Sequence, residues 1–364
     1  MRKCPTTGDD NSIVLNLFIT NACNLHCSHC YVDSCLISES SNAQFLDLND
    51  LDFILKSLER ENIELVHVFG GEPFLHPDLR DACEMCRAAG YPVNIATNGT
   101  LIQEHLSWLQ KNGVSLSINM LGDDPRLSEI LDDAFPLADV SKNARDAVQC
   151  GIEVNGIICA FPVEDTPAGN ARFYAEYLRG LHESTGIEDF FILYFSRLGR
   201  GKRVMEHMNA SFFAPEQWLS FLKELKEGLD LLKPSFSVFV EPAFEDEMFS
   251  ALPPPPVQCE MIMQANLVIK YDLTAYPCIL LLNSDDARHK IAFNGNLDKV
   301  DAAFSDVQAK TITRAANTCK FCTQMPYCGP CIAYIQDEPN DYRCLGNKTK
   351  GPLVGCPLAT VRLY

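Results

Sequence analysis

Near the start of the chain, three cysteines crowd one short run, Thr20-Asn21-Ala22-Cys23-Asn24-Leu25-His26-Cys27-Ser28-His29-Cys30-Tyr31, with the spacing Cys-x3-Cys-x2-Cys. Three thiolates this close can converge on one metal centre, and thiolate is the ligand that iron–sulfur clusters take. The missing fourth thiolate is informative: a four-iron cluster on three cysteines leaves one iron open to a small molecule. A zinc site would want a fourth ligand close by, which His26 or His29 could supply. Farther on, Val68-Phe69-Gly70-Gly71-Glu72-Pro73 places two glycines where backbone can approach a ligand closely and carbonyls can accept from an ammonium group. The same residues also read as a plain strand-to-helix turn.

A second group of cysteines lies toward the C-terminus: Cys259, Cys278, Cys319, Cys322, Cys328, Cys331, Cys344 and Cys356. Eight thiolates are what two fully ligated four-iron clusters need, although zinc also suits such spacing. Cys83 and Cys86 fall on a helical pattern and read as buried thiols. The chain has 17 cysteines in 364 residues, and 47% of those residues are hydrophobic, so it builds a core without disulfide staples; ligation is the better use of the thiols. With 30 lysines and arginines against 48 carboxylates, net charge −18, a nucleic-acid partner is not expected. There is neither a signal core after Arg2 and Lys3 nor a membrane-length apolar run, so a cytoplasmic protein without a membrane partner is expected.

The elements that must position these residues can be read from periodicity. Ile13–Ile19, Glu64–Phe69, Pro92–Ala96, Val114–Asn119, Glu153–Ala160 and Phe190–Phe195 read as strands, with helical patterns such as Asn49–Glu61 and Asp78–Ala89 between them. Such alternation implies an α/β fold, a partial (β/α)6 barrel of TIM type with its active face at the strands' C-terminal ends. A helix from Ala214 to about Lys233 and a strand at Phe236–Val240 come next, and then the run Pro253–Pro256 forms a stiff spacer. The expected division is residues 1–233 for the barrel, 234–256 for a bridging segment, and 257–364 for a small cysteine-rich domain of short irregular pieces that ligands hold together.

The first loop and the Gly-Gly-Glu-Pro turn together resemble the radical S-adenosylmethionine (radical SAM) superfamily, whose signature is Cys-x3-Cys-x-aromatic-Cys; His29 fills the aromatic position. The resemblance implies that Cys23, Cys27 and Cys30 hold a [4Fe–4S] cluster whose open iron binds S-adenosylmethionine. It also implies cofactor contacts from His29, Tyr31, Gly70, Gly71, Glu72, Asn98, Ser117 and Arg197. Asn119 stands where the family often has aspartate. The C-terminal cysteines resemble the SPASM extension, which carries two auxiliary [4Fe–4S] clusters. By that resemblance Cys259, Cys278 and Cys331 belong to the nearer cluster, and Cys319, Cys322, Cys328 and Cys356 to the farther one. Cys344 either completes the nearer cluster or leaves it an open iron, and Cys344 and Cys356 could exchange roles. Only Gly329 and Pro330 separate Cys328 from Cys331 where the family has three residues, and Leu273 stands where glycine is usual.

Members with this extension modify ribosomal peptides, mature sulfatases or act on small molecules. Ile279 comes after Cys278 where sulfatase maturases carry an aspartate, which weighs against that activity. The expected function is radical modification of a ribosomally made peptide by thioether, carbon–carbon or epimerising chemistry; an oxidoreductase or epimerase acting on a small metabolite or cofactor precursor is the alternative. An external one-electron donor such as flavodoxin or ferredoxin is implied. With the loop beginning at residue 23, a peptide would need a separate leader-binding partner or the barrel face itself. No residue stands out as general acid or base.

Overall fold

The computed structural model describes residues 12–32, 34–36, 42–59, 61–121, 136–195, 198–202, 213–241, 243–244, 266–282, 287–302, 304–305, 309, 331, 353–354 and 361–364. The six expected strands, β1 (Ile13–Thr20), β2 (Ile63–Gly70), β3 (Val93–Thr97), β4 (Ser115–Asn119), β5 (Val154–Ala160) and β6 (Asp189–Tyr194), lie side by side in chain order. Each neighbouring pair is parallel. Parallel pairing demands a crossover between strands, and helices supply it. These are α1 (Leu48–Ser57), α2 (Leu79–Ala88), α3 (Leu106–Asn112), α4 (Leu137–Gln149) and α5 (Pro167–Thr185), with α6 (Pro215–Leu232) after β6.

Local chemistry sets the helix ends. Asp47 accepts from the Asn49 N–H at 2.7 Å before α1, and Thr166 accepts from the Gly169 N–H at 3.1 Å before α5, whose first turn carries Pro167. Strand alternation then sorts the side chains. Leu15, Leu17 and Ile19 of β1, Val66 and Val68 of β2, and Leu116 and Ile118 of β4 join Leu51, Ile54, Leu178 and Leu225 of the helices in one continuous core. Burying each such side chain contributes about 1.5–3 kcal/mol. The opposite face mixes a small apolar cluster around Phe18 and Phe69 with a polar network: Asn94 Oδ1 accepts from Ser117 Oγ and meets His67 Nδ1, both at 3.0 Å, while Asn16 Nδ2 donates to Asn266 Oδ1 at 2.7 Å. Pairing offsets the burial of these groups.

Two further parallel strands extend the six. β7 (Ser237–Val240), expected as a strand, pairs with β6, and β8 (Asn266–Lys270) pairs with the other edge of β1, aligning Leu17 with Ile269. β9 (Thr274–Tyr276) and β10 (Ile291–Ala292) continue antiparallel from β8, and β11 (Val361–Arg362) lies antiparallel to β7. The sheet order is β10-β9-β8-β1-β2-β3-β4-β5-β6-β7-β11, open at both edges among the described residues. Reading everything after residue 257 as irregular therefore misses β8, whose five residues give too short a period to register among so many turn residues. Two small pairs stand apart: Ala22–Cys23 parallel with Cys35–Leu36, and Ala243–Phe244 antiparallel with Leu353–Val354. Among the described residues no helix is long and apolar enough to cross a membrane.

Candidate functional site

The parallel strands end on one side of the sheet, and the site is built from the segments just beyond β1, β2, β3 and β6. After β1 the chain turns into the cysteine loop, where Cys23 is buried and Cys27 and Cys30 are partly exposed; none of the three forms a disulfide. Burial pushes the Cys23 thiol up to about 11, partly opposed by the Leu25 N–H, which donates to its sulfur at 3.4 Å. Such a thiol stays protonated until a metal takes the proton's place.

Under this loop lies the end of β2. The Gly71 N–H donates to Thr20 O at 2.8 Å, and the Glu72 N–H donates to Ala22 O at 2.7 Å. A Cβ on Gly70 would fall 2.4 Å from Thr20 O, and one on Gly71 would fall 2.1 Å from Ala22 O. The two glycines thus let β2 pack backbone to backbone against the cysteine loop, a reason distinct from the approach to a ligand expected from sequence. The Glu72 side chain is wholly buried and holds β2 to β3: Oε1 accepts from Thr97 Oγ1 at 2.8 Å and from the Phe74 N–H at 3.1 Å, and Oε2 accepts from the Asn98 N–H at 2.8 Å. Burial lifts its carboxyl to about 7 against the pull of those donors.

Asn98 reaches the loop from β3. Its Nδ2 donates to Asn24 Oδ1 at 2.8 Å, and Asn24 Nδ2 donates to Thr100 Oγ1 at 2.9 Å, so two side chains just beyond β3 tie the loop. Ser117 lies lower, on the polar face, with its hydroxyl given to Asn94. His29 has a buried Nδ1 with no partner among the described residues; burial, then the Arg200 charge, lowers this ring to about 4, and the ring meets Phe161 edge-on at 6.2 Å. Tyr31 is held above the usual phenol range by burial and then by the thiols of Cys30 and Cys278. Cys278, buried at the start of a short 3-10 turn (Ile279–Leu281), therefore lies within electrostatic reach of the first loop. Cys331 is buried as well, while Cys259, Cys319, Cys322, Cys328, Cys344, Cys356 and Arg197 lie outside the described residues. Cys83 and Cys86 sit in the helical core, as expected.

Arg200, beyond β6, is the residue that sequence reasoning missed. It is 5% exposed, and its Nε donates to Cys27 O and its Nη1 to Ser34 O, each at 2.8 Å. Its backbone N–H donates to Cys30 O at 2.9 Å. The only signal was its place between Gly199 and Gly201, which also fits a solvated turn.

These residues fit an iron–sulfur group. The donors are three cysteines on one loop, none of them in a disulfide, and the His29 Nδ1, which has no partner among the described residues, lies beside them. Among the described residues no three donors gather tightly enough for a single ion. A cubane takes one thiolate per iron, at separate corners, so its ligands need only face a shared space.

The comparisons agree with this geometry. Residues 17–166 match the Radical SAM superfamily. Over 113 residues it is 29% identical to an S-adenosylmethionine-dependent nucleotide dehydratase of Thermoplasmatales archaeon (strain ISO4-H5), covering 30% of this chain and 38% of that one. It is also 29% identical over 118 residues to a GTP 3′,8-cyclase of Vibrio vulnificus (strain YJ016), covering 31% and 35%. The chain thus spans less than two-fifths of the length of these curated relatives. Among solved structures, Streptococcus suis SuiB bound to precursor peptide SuiA shares the fold, with TM-score 0.67 and 16% identity over 92% of this chain and 75% of that one.

Proposed function

We propose that this protein is a radical SAM enzyme whose Cys23, Cys27 and Cys30 hold a [4Fe–4S] cluster, and which modifies a ribosomally made peptide. The observation that carries the reading is the three-cysteine loop at the end of β1, braced from below by Gly70-Gly71-Glu72 and from the side by Asn98. With the cluster in place, S-adenosylmethionine supplies reductive cleavage to a 5′-deoxyadenosyl radical that takes a hydrogen atom from the substrate. The chain's own part is to orient. Asn24, Asn98 and Thr100 fix the loop; the carbonyls and glycines after β2 and the ring of His29 border the cofactor's place; Tyr31 lies within electrostatic reach of both Cys30 and Cys278.

Residues 257–364 are proposed as a SPASM-type domain with two auxiliary clusters, with the division 1–233, 234–256 and 257–364. An external one-electron donor and a separate leader-binding partner complete the reading, and the acidic chain is taken as cytoplasmic. Support for a peptide substrate comes from the fold shared with peptide-bound SuiB. The second reading, a small nucleotide-like metabolite, is favoured by the nucleotide dehydratase and the GTP cyclase among the relatives.

Anaerobic reconstitution tests the core of the reading: three cubanes bring about twelve iron atoms per chain, and replacing Cys23, Cys27 and Cys30 together by alanine removes roughly a third of them. The same variant should yield no 5′-deoxyadenosine from S-adenosylmethionine and dithionite. Cleavage that persists in the triple variant would place the initiating cluster elsewhere.

A further inference from the structure

At residues 198–201 the chain makes a tight turn in which the Gly201 N–H donates to Leu198 O at 3.0 Å. Gly199 adopts φ +55°, and a Cβ there would fall 2.4 Å from Tyr31 O and 2.7 Å from Cys30 O. This turn is therefore seated directly on the backbone of the last loop cysteine. From it Arg200 sends three N–H groups to three carbonyls: those of Cys27, Cys30 and Ser34. The partners lie 173 and 166 residues earlier for the two side-chain bonds, so the loop's shape depends on a distant turn. Burying a guanidinium is expensive, and the carbonyls offset part of that cost by satisfying its hydrogens. A thiolate-ligated cluster carries net negative charge, which grows on reduction. A fixed cation in the adjoining shell favours the reduced form, since net charge and hydrogen bonding set cluster potentials.

We propose that Arg200 is the positioning residue of the Cys23–Cys27–Cys30 site: its fork of donors shapes the loop so that the thiols face the cluster, and its positive charge raises that cluster's reduction potential. The proposal rests on the reading that this loop holds the S-adenosylmethionine-binding cluster.

The test uses full-length reconstituted protein, wild type beside Arg200→Lys and Arg200→Gln. Iron is counted in each, and an EPR-monitored redox titration tracks the signal that changes on adding S-adenosylmethionine. Arg200→Gln should shift that signal to more negative potential and cut the dithionite-reduced fraction several-fold. Arg200→Lys, which keeps the charge and loses the fork, should keep the potential near wild type while loading less iron. In the iron-free chains, the fork's loss should speed thiol alkylation in both variants. If Arg200→Gln does not fold, the lysine variant decides: wild-type iron loading and wild-type alkylation rates overturn the proposal. Unchanged potentials and loading in both variants also overturn it. A wild-type protein with no S-adenosylmethionine-responsive signal would instead overturn the reading of the loop itself.

Discussion

Glu72 shows how one side chain is spent. A carboxylate at the end of a strand, next to a cofactor's place, invites the thought that it touches the ligand, yet both oxygens are occupied by Thr97, Phe74 and Asn98. Its work is to hold β2 and β3 at one separation, so that the loop resting on both is held too. Burial raises its folded-state pKa to about 7, above the ordinary 4.5. The folded chain therefore binds this proton more tightly than the unfolded chain does. The stabilisation from that proton is fully present below the unfolded value and is lost as pH rises through about 7. A shift of this size amounts to roughly 3 kcal/mol. Comparing urea midpoints of wild type and Glu72→Gln across this range isolates the residue: the stability advantage of wild type should shrink between pH 5 and 7.5 and stay level above. An advantage independent of pH would mean the carboxylate is ionised in the fold throughout.

Turns, more than helices or strands, separate what could be read in advance from what could not. β1 to β6 announced themselves through runs of apolar and β-branched residues, and the cysteine loop through its spacing. The brace from Arg200 gave no such sign, because a hydrogen bond across 173 residues leaves no periodic trace. Gly70 and Gly71 were visible, but only the packing against Thr20 and Ala22 says why they are glycines. Leu273 is the converse case: noted as an unusual residue where glycine is common, it adopts φ +56° in the turn joining β8 to β9. Its carbonyl accepts from the Phe293 N–H at 2.7 Å, and its side chain packs on the core. Left-handed backbone costs a non-glycine residue about 1–2 kcal/mol. Leu273→Ala would keep that strain and lose the packing, whereas Leu273→Gly would lose the packing and relieve the strain. The glycine variant should therefore be the more stable of the two by about 1 kcal/mol, reversing their usual order. Thermal unfolding of the pair checks this, and an alanine variant at least as stable as the glycine variant would show that the turn carries no strain.

At the scale of the whole molecule, the four prolines suggest a boundary that the sheet does not respect. β8 lies after them, yet it pairs along β1, the strand that delivers the cysteine loop, with Val14 through Phe18 in register with Asn266 through Lys270. Val268 and Tyr276 also cover Phe18 and Phe69 on the face opposite the helices, and Phe18 meets Phe69 edge-on at 5.2 Å. At the far edge, β11 closes against β7. A chain ending at residue 256 would keep the three loop cysteines and Arg200, but β1 would become an edge strand with unpaired backbone groups beside two uncovered phenylalanines. Such an edge is a template for aggregation. The shortened chain should therefore be recovered mainly insoluble, and its soluble fraction should bind little iron even though Cys23, Cys27 and Cys30 are all present. Soluble yield and iron content after anaerobic reconstitution measure this directly. A soluble 1–256 chain carrying about four iron atoms and producing 5′-deoxyadenosine would show that the radical-generating half stands without β8, and that the C-terminal segment serves the substrate alone.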